Sequence, residues 1–61
     1  MIFSTKDKLD EVLREIGYRE YVYPRLINDK KLNEATAKKR IAIMWEIAEE
    51  LQLQLQRELL I

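Results

Sequence analysis

The densest group of chemistry-bearing side chains in this sequence is Tyr18-Arg19-Glu20-Tyr21-Val22-Tyr23-Pro24-Arg25. Three tyrosines beside two arginines could stack on bases or grip phosphates. The favoured use is structural: Tyr23 in a core, with Tyr18 and Tyr21 covering helix flanks or a partner, since a tyrosine ring is apolar while its hydroxyl can stay wet. Glu20 falls by spacing inside an apolar stripe, between Ile16 and Tyr23. A partly buried carboxylate there needs a partner, and Arg40 or an arginine from a second chain would serve. Catalysis would need a second carboxylate, a histidine or a nucleophile beside Glu20, and the spacing places none.

A second group is basic. Residues 25–45 carry Arg25, Lys30, Lys31, Lys38, Lys39 and Arg40 against Asp29 and Glu34, a net 6 − 2 = +4. Residues 1–24 come to 4 − 5 = −1 and residues 46–61 to 1 − 4 = −3, so the whole chain is neutral. A nucleic-acid binder normally shows its basic footprint over the whole domain. Here only the middle is basic, which an antiparallel hairpin would place at its turn end. The six cations are candidate contacts for a weak nucleic-acid accessory role, ranked below a solvated loop and helix start.

The remaining chemistry is thin. With no cysteine and no histidine, disulfides, thiolate metal sites and the commonest general base are absent together. Asp29 to Glu34 lacks the alternating oxygen ligands and the glycine of a calcium loop. No glycine run exists to cradle a phosphate. The expectation is a protein that is not an enzyme and carries no cofactor.

The elements that must position these residues are helical. One glycine and one proline in 61 residues argue against a sheet with many turns, and Leu, Glu, Lys, Arg, Ala and Gln are good helix formers. Ser4 followed by Asp7 is a capping-box-like start. Leu9, Val12, Leu13, Ile16, Tyr23 and Ile27 then follow the steps of one helical face. Gly17 weakens that helix by about 1 kcal/mol against alanine unless it admits another backbone. Pro24 lacks an N–H and biases Tyr23 away from helical geometry, so a kink or break is expected there. The reading is a helix over about 5–23, a short helical turn over 24–28, a connection over 29–33, and a second helix over about 34–59 capped by Asn33. The tail Leu51-Gln-Leu-Gln-Leu-Gln56 alternates like a strand, but leucine and glutamine favour helix.

Ala37, Ile41, Met44, Ala48, Leu51 and Leu55 make a heptad-like seam on the second helix. At 100° per residue the apolar positions from Ile47 round to Trp45 span about 160°, more than one partner helix covers. A chain this short buries only roughly 60% of its unfolded surface and usually needs a staple. The fold class expected is therefore all-α: a helical hairpin that associates with itself into a four-helix bundle or similar oligomer. The candidate oligomer interface is Met44, Trp45, Ile47, Ala48, Leu51 and Leu55. Leu53 and Ile43 point away from the main seam. No basic flank followed by an apolar core opens the chain, and the longest apolar run is Ile41 to Trp45, far short of the ~20 residues of a membrane span. A cytoplasmic location and no membrane partner are expected.

Arg14-Glu15-Ile16, Arg19, Val22-Tyr23-Pro24, Lys31-Leu32, Ala37, Ile41-Ala42-Ile43-Met44 and Ile47 resemble a group of small phage- and prophage-encoded proteins. The resemblance covers residues 14–47, with Lys30 standing where the pattern has glycine and the leucine-glutamine tail outside it. It implies a phage or mobile-element context and a turn after the Pro24 segment, and it supplies no catalytic residue. On these grounds the chain reads as a self-associating scaffold, adaptor or phage accessory protein.

Overall fold

A computed structural model describes residues 2–60. Two helices, α1 (Thr5–Asn28) and α2 (Glu34–Leu59), fold back on each other as an antiparallel hairpin, with no strand among the described residues. Each start is set by a local cap. The Ser4 hydroxyl accepts from the Asp7 amide at 3.0 Å, and the Ser4 amide donates to the Asp7 carboxylate at 3.4 Å. This closes the reciprocal box that satisfies two otherwise orphan donors. The Asn33 side chain accepts from the amides of Ala35, at 2.7 Å, and Thr36, at 3.4 Å. Glu34 lies in the same first turn, where the helix dipole favours negative charge.

The helix does not stop at Pro24. Helical structure carries through Pro24 to Asn28, so residues 24–28 are the last turn of α1 and not a separate piece. The missing N–H deprives only the carbonyl four residues back, that of Glu20, and Glu20 is an exposed residue. Val22, Tyr23, Leu26 and Ile27 are all half-buried on both sides of the proline. Their packing against α2 holds the last turn helical against the local preference.

The turn has a defined chemistry. Asp29 caps α1, the Lys30 amide donates to the Ile27 carbonyl at 3.0 Å, and the Lys31 amide donates to the Leu26 carbonyl at 2.8 Å. These are the two bonds of a Schellman motif, which requires the residue after the cap to be left-handed. Lys30 takes that position with φ 60°, the one non-glycine residue with positive φ among those described. A side chain there costs on the order of 1 kcal/mol relative to glycine.

The core is a single narrow seam. Leu9, Ile16, Ala37 and Ala48 are the buried apolar residues, and Val12, Met44, Leu51 and Leu55 pack against the cluster of Leu9, Ile16 and Ala48. Alanine at two facing positions lets α2 lie close against α1. Across the open end of the hairpin the Thr5 hydroxyl donates to Glu58 at 2.5 Å, and Gln54 donates to both Thr5, at 3.3 Å, and Glu58, at 3.2 Å.

Two substitutions probe these local costs. Lys30→Gly, which relieves the left-handed strain, is expected to raise unfolding stability by about 1 kcal/mol. Gly17→Ala adds a Cβ into open space, with no atom within 4 Å, and is expected to add a similar amount through helix propensity. Urea midpoints at one fixed protein concentration measure both; a lowered midpoint for Lys30→Gly would refute the strain assignment.

Candidate self-association surface

Because α1 covers only one side of α2, the seam separates two flanks. The six candidate interface residues divide accordingly. Met44, Ala48, Leu51 and Leu55 belong to the hairpin's own core cluster, and Ala48 is only 4% exposed within the single chain. Trp45 and Ile47 remain 44% and 38% exposed, and at 100° per residue they lie on opposite sides of that seam. What is left open on α2 is therefore two flanks rather than one continuous arc. Ile43 extends the Ile47 side, and Leu53 stands apart at 54% exposure.

The Trp45 flank is the better formed. There the two helices enclose an open groove, with Glu20, Tyr23, Pro24 and Ile27 on the α1 wall and Ala37, Lys38, Ile41, Ala42 and Trp45 on the α2 wall. Its floor is apolar and its rim carries one acid and one base. Glu20 was expected to be partly buried and paired with Arg40 or a second chain's arginine. Within this chain it is exposed, and among the described residues neither Glu20 nor Arg40 makes an ion pair. Glu20 sits at the edge of the apolar stripe, one step round the helix from Ile16, so water reaches its carboxylate. Tyr23 and Lys38 line the same groove as Glu20.

The three tyrosines part company. Tyr23 is half-buried toward α2, while Tyr18 and Tyr21 are 63% and 66% exposed on the outer side of α1. The Arg25 guanidinium lies 5.3 Å from the centre of the Tyr21 ring, within cation–π range. The tyrosines thus do not make one stacking platform.

The six basic candidates gather at the turn end but do not share a face. Lys38, Lys39 and Arg40 are consecutive on a helix and point about 100° apart. Lys38 is engaged by Glu34 at 3.5 Å. Lys30 and Lys31 sit in the turn itself, and Arg25 covers Tyr21. Lys38, Lys39 and Arg40 therefore do not form a row on one helix face, the arrangement a groove-tracking nucleic-acid site uses.

Among the described residues, perturbed ionisation falls in ion pairs along α1. Hydrogen bonds from Arg14, at 2.7 and 2.8 Å, hold the Glu11 carboxyl below the ordinary carboxylate range. The Asp10 hydrogen bond and charge raise Lys6, and the Glu15 hydrogen bond raises Arg19. These pairs lie three or four residues apart, a spacing that supports a helix weakly. Among the described residues no group of three or more acidic side chains is placed to hold a metal ion, and no helix is long and apolar enough to cross a membrane.

Sequence reasoning missed the Thr5–Gln54–Glu58 cluster. Thr5 is 6% exposed although it directly follows a cap residue, and its acceptor lies 53 positions away. No local pattern reports such a pairing. Thr5→Val keeps the side-chain shape and removes the donor, so it is expected to lower stability by about 1 kcal/mol. Glu58→Ala should cost a similar amount, and the double variant should lose less than the sum because both remove the same bond. Strict additivity in chemical unfolding would show the contact to be energetically idle. No protein-family model, curated protein or solved structure matches the chain.

Proposed function

We propose that this chain is a self-associating helical scaffold or adaptor with no catalytic role, working as a bundle of two hairpins. The observation that carries this is an excess of surface. A compact monomer of 7.4 kDa would expose about 4,200 Å², whereas the hairpin exposes 5223 Å². The surplus, roughly 1,000 Å², is close to the ~800 Å² that each partner contributes to an ordinary stable interface.

The shape supports the same reading. The radius of gyration is 14.3 Å, and the molecule measures 48 × 18 × 16 Å; a compact domain of this length would have a radius near 10.5 Å. Two helices side by side form one layer, while stable domains stack at least two around a shared core. Stacking a second hairpin on the first supplies the missing layer in the four-helix arrangement with helices near 20°. A second copy of the chain is the simplest source of it, since twofold pairing is the commonest route to an oligomer.

On the resemblance of residues 14–47 we extend the proposal to a phage or prophage accessory protein, acting in the cytoplasm. Phage genes flanking the coding sequence would support that extension, and a setting among unrelated chromosomal genes would remove it. The association itself is tested in solution. The thermal midpoint is expected to rise with protein concentration, by several degrees over a hundredfold range, because folding is linked to assembly. A concentration-independent midpoint together with a monomeric mass in sedimentation at micromolar concentration would overturn the proposal.

A further inference from the structure

Self-association leaves open which of the two flanks of α2 meets the copy and in what direction. Resting on the self-association reading above, we infer that the Trp45 flank is a self-complementary docking stripe on which α2 of a second copy lies antiparallel, about a twofold axis between Ile43 and Met44.

The stripe is formed by Lys38, Ala42, Trp45 and Glu49, spaced by four, three and four residues. At 100° per residue these four fall within an arc of about 60°, centred about 110° round α2 from the seam that faces α1. All four are exposed in the single chain. The spacing is that of a second heptad seam, with Lys38 and Trp45 at one kind of position and Ala42 and Glu49 at the other. Antiparallel pairing sets the first kind against the second. With the axis between residues 43 and 44, Trp45 of each copy falls opposite Ala42 of the other, and Lys38 opposite Glu49.

Size and charge then match at once. The largest side chain of the chain meets one of the smallest, twice, and a cation meets an anion, twice. Ala42 also lines the groove between the helices, so an indole arriving there enters a depression with an apolar floor. A buried indole N–H seeks an acceptor, and the exposed Glu20 carboxylate on the opposite wall supplies one. A parallel pairing would put Lys38 beside Lys38 and Glu49 beside Glu49, so the charges choose the antiparallel direction. The Ile43 and Ile47 flank can also match opposite charges, with Arg40 opposite Glu50 about an axis at residue 45, but it sets isoleucine against isoleucine and has no large side chain meeting a small one.

Trp45 is the only tryptophan and reports on the stripe directly. Dilution of the wild-type chain, followed by sedimentation and fluorescence together, is expected to move the emission from blue to red as the oligomer dissociates. Charge exchange gives the direction. Lys38→Glu and Glu49→Lys each place like charges opposite each other and are expected to weaken association tenfold or more. An equimolar mixture of the two variants restores both opposite-charge pairs and is expected to form a heterodimer as tight as the wild type. If a single variant is unfolded alone, recovery of helicity on mixing, read by circular dichroism, reports the same pairing. A wild-type chain that stays monomeric would overturn self-association itself. An oligomer whose emission does not shift on dilution, or whose charge variants associate no better mixed than alone, would leave self-association standing and overturn this stripe and its direction.

Discussion

Two helices can share one seam and no more, and most of what this molecule shows follows from that limit. The seam consists of Leu9, Val12 and Ile16 on α1 against Met44, Ala48, Leu51 and Leu55 on α2. A helix presents about a third of its circumference to one neighbour, so each helix keeps the rest of its surface in water. With so few residues excluded from solvent, the hydrophobic term that drives folding is small for a chain of this length. The hairpin is therefore trimmed at its ends by polar devices: a capping box at Ser4, an Asn33 cap, a Schellman turn and the Thr5–Gln54–Glu58 cluster. Each holds backbone or side-chain polar groups that would otherwise fray a short helix from its ends.

The same limit underlies the scaffold role proposed above. A single hairpin encloses little volume from which water is excluded. Tyr18, Tyr21 and Glu20 all lie in solvent in this single layer. What a one-layer protein does have is area, and its surplus is of the size that protein interfaces use. The surface is not evenly sticky either. The seam has already consumed most of the apolar arc of α2, and the residues left over, Trp45 above all, stand on its margins with charges of both signs close by. An apolar anchor bordered by charges is the usual anatomy of a recognition patch, with the anchor supplying affinity and the charges selecting register and partner.

Pro24 and Lys30 show how tertiary contact overrules local preference in a small protein. Both residues are poor choices for their positions: one lacks a donor inside a helix, and the other carries a side chain in a left-handed turn. Each costs on the order of 1 kcal/mol or more, in a protein with little stability to spare. The half-buried Tyr23, Leu26 and Ile27 hold that end of α1 against α2, so the strained geometry persists.

The sequence alone determined a good deal. Composition and period announced two helices, Ser4 and Asn33 announced their starts, and the four-three spacing from Ala37 to Leu55 announced the face that α2 turns inward. These signals are legible because they are local: a cap is read within three residues and a helical face within seven. Only the tertiary structure decided the rest. Periodicity measures the width of an apolar arc but not which part of it the first helix takes, so Met44, Ala48, Leu51 and Leu55 became core while Trp45 and Ile47 stayed outside. Likewise the burial of Thr5, the exposure of Glu20 and the passage of α1 through Pro24 depend on what lies across the hairpin. Those partners are roughly 10 to 50 residues away along the chain, a separation over which helical period and capping carry no information.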